Sequence, residues 1–151
     1  MNEFNSIDDI LDFAIENEQK AVDFYTTLAG VIKNSDMRDT FEQFAREEIG
    51  HKAKLVKIKE EKIFVASKEN ISDLKISDYV DNVEVSSDMS YQDALILAMK
   101  REKSAFKLYT KLATKTSNTD LQNLFLSLAQ EESKHKLMFE VEYDDVIFRE
   151  N

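Results

Sequence analysis

Residues 45–55 read AREEIGHKAKL and residues 129–139 read AQEESKHKLMF, and together they hold both histidines of the chain. In each stretch a glutamate precedes the histidine by three residues, Glu48 before His51 and Glu132 before His135. On an α-helix that spacing puts the two side chains on one face. Working outward in steps of three and four, the same face collects Phe41, Phe44, Leu55 and Ile58 around the first pair. Around the second it collects Leu121, Phe125, Leu128 and Phe139. A carboxylate and an imidazole thus interrupt an apolar stripe of the kind a helical bundle buries.

The two stretches belong to a longer repeat. An offset of 84 residues aligns Glu18 with Glu102, Tyr25 with Tyr109, Phe41 with Phe125, Glu48 with Glu132 and His51 with His135, without a gap. Each copy opens with a Ser-x-x-Asp start signal, Ser6 with Asp9 and Ser90 with Asp93, a spacing that satisfies exposed amides at a helix N-terminus. Each also has a polar break, Asn34 to Asp36 and Ser117 to Asp120, whose short side chains favour caps and turns. The pattern predicts helices over about 7–33, 36–65, 91–116 and 120–145, with a stretch between the second and third that is too long for a tight turn and suits a crossover. The expected fold is all-α: one domain over residues 1–151, a four-helix bundle of two helical hairpins, about 6–66 and 90–150, joined by a crossover over about 67–89.

Composition agrees with long amphipathic helices: the 151 residues include no proline and two glycines, with 42% hydrophobic and 33% charged residues. A net charge of −10 argues against nucleic acid and anionic membrane surfaces, which demand clustered Lys and Arg. The acidic first residues do not read as a signal peptide, and no apolar run approaches membrane-spanning length, so a soluble cytoplasmic protein is expected. With no cysteine there is no disulfide, thiolate chemistry or iron–sulfur centre, and any metal must be held by carboxylates and imidazoles.

The other two helices supply carboxylates. Ile7, Leu11, Ala14, Glu18, Ala21, Tyr25, Leu28 and Ile32 form one seam, and Tyr91, Leu95, Ala98, Glu102, Ala105, Tyr109 and Leu112 another, each with a single charge. Glu18 and Glu48 stand about equally far from the first break, as do Glu102 and Glu132 from the second, roughly 22 Å at 1.5 Å per residue. All six ionisable groups are therefore expected at one height. Four buried carboxylates and two imidazoles match two divalent cations in charge, and oxygen with imidazole ligation suits iron, with manganese or zinc as alternatives. Glu47 and Glu131 also lie one turn before a histidine, but a rotation of about 100° off the seam points them to the bundle flank. Tyr25 and Tyr109, seven residues beyond Glu18 and Glu102, read as core aromatics whose hydroxyls can reach a ligating carboxylate.

On these residues the chain resembles the rubrerythrin branch of the ferritin-like di-iron carboxylate proteins, whose ligand set is a Glu from each of two helices and Glu-x-x-His from each of the other two. The resemblance spans nearly the whole chain, including EQKAVDFYTTLA at 18–29 and EKSAFKLYTKLA at 102–113. It implies that Glu48 and Glu132 bridge two irons, that Glu18 and Glu102 are terminal ligands, and that His51 and His135 each bind one iron. It further implies a non-haem di-iron oxidoreductase that reduces hydrogen peroxide or dioxygen in protection against oxidative stress. Rubrerythrins usually carry a rubredoxin domain with four cysteines. This chain has none, so electrons must come from a separate donor such as rubredoxin or a reductase. Many also have a further Glu where this chain has Ala105, which makes the site more symmetric and in that respect similar to bacterioferritin. Two other readings stand beside peroxide reduction: iron oxidation with storage or handling, and a bundle that metal merely fastens. A homodimer or higher homo-oligomer is expected.

Overall fold

A computed structural model of the chain describes residues 4–64, 71–79 and 89–150. The described residues form four α-helices, α1 Ile7–Val31, α2 Ser35–Glu60, α3 Tyr91–Ala113 and α4 Thr119–Glu150, with a single 3-10 turn at Ile76–Asp78. Helices α1 and α2 pack as one hairpin in a compact unit from Phe4 to Ser72, and α3 and α4 as another in a unit from Asp73 to Asn151. Among the described residues no helix is long and apolar enough to cross a membrane.

The helix starts lie where the sequence places them. The Ser6 hydroxyl accepts from Asp9 N at 3.1 Å and the Ser90 hydroxyl from Asp93 N at 3.1 Å, each satisfying a backbone donor that the first turn leaves unpaired. Asn34 closes the first break by accepting from Asp36 N and Met37 N, and Asn118 the second by accepting from Leu121 N. The ends differ by a few residues. Helix α1 stops at Val31 rather than at 33 because Ile32 is extended, with ψ 139°, and the Arg38 guanidinium donates to its carbonyl at 3.2 Å. Helix α4 runs to Glu150, past the expected 145, with Val146 buried and Arg149 Nη2 donating to Glu142 at 3.1 Å.

Helix α2 ends at Glu60 in a Schellman arrangement: Ile63 N donates to Ile58 O and Lys62 N to Lys59 O. The residue that turns the chain is Lys62, at φ 51°, a left-handed conformation that costs an L-residue about 1 kcal/mol and glycine almost nothing. Lys62→Gly is therefore expected to stabilise the protein by about 0.5–1 kcal/mol, read from the urea midpoint with unchanged slope. A lower midpoint would contradict the strain.

Most seam residues are buried as the spacing predicts, with Ile7, Ile32, Tyr91 and Ala105 half-buried, and the core is wider than the seams. Ile10, Phe24 and Ala45 in the first unit, with Leu97, Leu108 and Ala129 in the second, lie beside the stripes and are also buried. A helix in a globular domain hides more than the narrow 3–4 seam. The aromatic packing around the repeated tyrosines differs between copies. Tyr25 meets Phe44 edge-on at 5.9 Å, whereas Tyr109 stacks on Phe125 at 6.4 Å, in the copy where Leu128 stands in place of Phe44.

Of the expected crossover, residues 71–79 are described, and 67–70 and 80–88 lie outside the described residues. The described part is not a bare linker. Ile71 is buried in the first unit, Leu74 and Tyr79 in the second. Asp73 takes Lys115 Nζ at 2.7 Å and Lys111 Nζ at 3.7 Å, tying the start of the second unit to the end of α3.

Candidate metal centre

In the first hairpin, α1 presents Glu18 and α2 presents Glu48 and His51 from positions where their neighbours on the seam are Ala14, Phe44 and Leu55. His51 Nδ1 stands 3.5 Å from Glu18 Oε2 and 3.3 Å from Glu48 Oε1. Each of the three side chains offers one ligand atom, and these atoms lie within 4.8 Å of one another. The second hairpin repeats the arrangement by itself. Glu102 comes from α3, Glu132 and His135 from α4, their ligand atoms again within 4.8 Å of one another, with His135 Nδ1 3.6 Å from Glu102 Oε1. In both copies the histidine turns the same nitrogen, Nδ1, toward carboxylate oxygen.

None of the six residues is more than 3% exposed. Burying carboxylates costs several kcal/mol each unless a positive charge meets them. In the metal-free protein His51 can supply that charge. Burial disfavours the imidazolium, but hydrogen bonds and charge from Glu18 and Glu48 outweigh it and push the His51 pKa up to about 11. Two carboxylates around one proton-binding nitrogen make a cation site in which a metal ion and a proton compete.

The donor set fits a transition-metal ion on three grounds. Oxygen and imidazole nitrogen without sulfur is the chemistry of non-haem iron, manganese and zinc sites. Two carboxylates and a neutral imidazole carry the charge of −2 that a divalent cation cancels. Separations of 3.3–3.6 Å are close to those of neighbouring ligands held about 2.1 Å from a common ion, which stand roughly 3.4 Å apart in a tetrahedron.

The six expected ligands all lie in the two clusters. The rivals do not join: Glu47 and Glu131 are half-buried and belong to neither cluster. Tyr25 and Tyr109 are fully buried on the seams of Glu18 and Glu102. Sequence reading missed a tie beside the first cluster. Lys52 Nζ donates to Gln19 Oε1 at 2.7 Å, linking the residues that follow His51 and Glu18 and so fixing α1 against α2 at that height. The repeat carries Lys103 and Lys136 at those positions, two cations that cannot make the same bond, and Lys136 pairs instead with Glu140. The polarity of the residue after each candidate ligand, compared between copies, is the signal that could have found it.

Comparison with known proteins gives the same picture. The family model for Rubrerythrin matches residues 9–143. Among solved structures, a protein from Thermotoga maritima described as ferritin-like and diiron-carboxylate is similar over 97% of this chain and 99% of its own, with 20% identity and a TM-score of 0.78. A hypothetical protein from Pyrococcus furiosus is similar over 89% of this chain and 86% of its own, with 26% identity and a TM-score of 0.69. Among curated proteins none matches. The structural likeness shows the fold, an all-α ferritin-like helical bundle.

Proposed function

Because the chain belongs to the rubrerythrin family, we propose that its two clusters, each a pair of glutamates with one histidine, together hold a di-iron centre that reduces hydrogen peroxide with electrons from a separate donor. The observation that carries this reading is the repetition: each hairpin buries two glutamates and one histidine with converging donor atoms, one cluster for each of two ions. Glu18, Glu48 and His51 would hold one ion and Glu102, Glu132 and His135 the other, with Glu48 and Glu132 as the pair that would be shared between them. Tyr25 and Tyr109, on the same helix faces as Glu18 and Glu102, orient those carboxylates.

A reduced pair of iron ions supplies two electrons, the number needed to convert hydrogen peroxide and two protons into two waters without releasing a radical. The chain's own part is to bind, shape and shield. Phe41, Phe44 and Tyr25 in one unit, and Phe125, Leu128 and Tyr109 in the other, are buried on the same helix faces as the clusters, and such apolar surroundings favour exclusion of bulk water and larger substrates. These 151 residues hold no cysteine to carry a redox centre, and the proposal assigns the returning electrons to a separate donor such as rubredoxin or a reductase.

Anaerobic stopped-flow absorbance of the Fe(II)-loaded protein, mixed separately with hydrogen peroxide and with dioxygen, tests the reading. Oxidation by peroxide is expected to be faster by roughly tenfold or more, about 1.4 kcal/mol in the barrier. One feature favours a second reading, iron oxidation and storage: Ala105 stands where a further carboxylate would break the symmetry between the clusters. Faster reaction with dioxygen, or Fe(III) accumulating far beyond two ions per chain, would replace peroxide reduction by that reading.

A further inference from the structure

Helix α3 carries, on the side turned away from Glu102, a stripe of lysines that the metal clusters do not use. Lys100, Lys103, Lys107 and Lys111 are all exposed and fall within about 80° of one another around the helix, over roughly 16 Å of its length. After Asp93 in the first turn, the only acid of α3 is the buried Glu102, so along the helix no carboxylate stands one turn from Lys100, Lys103 or Lys107. At the far end Lys111 shares Asp73 with Lys115. The stripe is not a property of the repeat. At the offset of 84 residues the same face of α1 reads Glu16, Gln19, Asp23 and Thr27. In the first unit Gln19 accepts from Lys52, whereas Lys103 faces the repeat's Lys136 instead of an acceptor and stands exposed. A positive stripe on a chain of net charge −10 draws an acidic macromolecule to one place, where the bulk of the charge would turn it away.

We propose that this lysine face of α3 is the docking surface for the separate electron donor, a small acidic protein that carries one electron at a time. The inference rests on the peroxide-reduction reading, which alone calls for a returning donor. Each peroxide reduced takes two electrons from the centre, so two reduced carriers dock in turn, each giving up one electron and leaving oxidised. Position favours this face. Glu102, a proposed ligand, lies about 140° round the same helix, so little more than one helix, about 10–12 Å across with its side chains, separates a docked carrier from the second cluster. The chemistry of the face suits a partner that must leave after each transfer. Lysines are strongly hydrated point charges on flexible stems, and the apolar contact beside them is one aromatic, Phe106, 39% exposed. Charge-steered contacts with little apolar area are those of redox encounters, which form fast and part fast.

Zinc-substituted rubredoxin of net negative charge, which docks without passing electrons, is the probe for the surface, titrated by NMR with the full metal-loaded chain. Binding is expected at about 0.01 M salt and is expected to weaken by roughly tenfold or more at about 1 M, as the Debye length falls from about 30 to about 3 Å. At low salt Lys100→Glu with Lys107→Glu should weaken it by roughly tenfold or more, with unchanged circular dichroism and metal content. Lys54→Glu with Lys57→Glu, an equal change in net charge at exposed positions of α2, should cost roughly twofold or less. In stopped flow with reduced iron-loaded rubredoxin, the α3 pair is expected to slow the return of electrons by the same factor while reduction by dithionite and oxidation by peroxide keep their rates. Slow oxidation by peroxide with lysine-dependent docking intact overturns the peroxide reading and supports the surface. No binding at low salt, equal weakening by the two lysine pairs, or a DNA duplex that binds the stripe more tightly than rubredoxin overturns the surface, whatever the rate with peroxide.

Discussion

Glu48→Ala or Glu132→Ala is expected to reduce anaerobic Fe(II) uptake from two ions per chain to one or fewer, while Glu47→Ala and Glu131→Ala keep nearly full loading. All four residues lie within one helical turn of a histidine, so sequence distance does not separate them. Burial does. Glu48 and Glu132 are 1% exposed and converge with an imidazole and a second carboxylate, whereas Glu47 and Glu131 are half-buried and outside both clusters. Changing even a residue that only orients a ligand costs about 10- to 100-fold in metal affinity, so loss of a carboxylate proposed to touch both ions should exceed that range. Elemental analysis after loading and desalting reads the count. Equal losses in the two pairs would mean that the helix faces are assigned wrongly.

The assignment of those faces was available from the sequence for a definite reason. A helix repeats its face every three to four residues, and a gapless internal repeat lets the same irregularity be seen twice. Glu18 alone on an apolar seam is ambiguous; Glu18 and Glu102 on matching seams, at matching distances from Asn34 and Asn118, are much less so. The caps were legible for a similar reason, because Ser6, Asn34, Ser90 and Asn118 act on amides two or three residues away. What depends on tertiary packing was not legible. Nothing in the spacing says that Ile32 turns extended and cuts α1 short, or that Arg149 finds Glu142 and carries α4 to residue 150. The sequence names both histidines but not the nitrogen each turns toward its carboxylates, which is a matter of rotamer. The Lys52–Gln19 bond escaped because it joins two surface-like residues 33 apart, on different helices.

Removing the metal should produce the second large effect, a fall in melting temperature of roughly 10–20 °C near neutral pH. Ligand bound to the folded state alone stabilises by about 2.7 kcal/mol at a hundredfold excess over its dissociation constant, hence about 5 kcal/mol for two sites, and a domain of this size shifts by about 2–4 °C per kcal/mol. The size of the drop should depend on pH, with a sign set by His51. Its pKa in the folded metal-free protein is raised to about 11, from 6.5 when unfolded, because Glu18 and Glu48 outweigh the opposing effect of burial. A raised histidine contributes stability that is complete below about 6.5 and declines as pH climbs toward 11, since only the folded state holds the proton in that window. From pH 6.5 to 8 the metal-free protein should therefore lose about 2 kcal/mol, at 1.4 kcal/mol per unit for one proton. In the loaded protein His51, as a proposed ligand, would bind metal as a neutral imidazole and would have no such proton to lose. The gap between loaded and chelated melting temperatures is thus expected to widen by several degrees as pH rises from 6.5 to 8, read by calorimetry on both forms. A gap that stays constant or narrows over that interval would show that the folded metal-free protein does not hold the extra proton at His51.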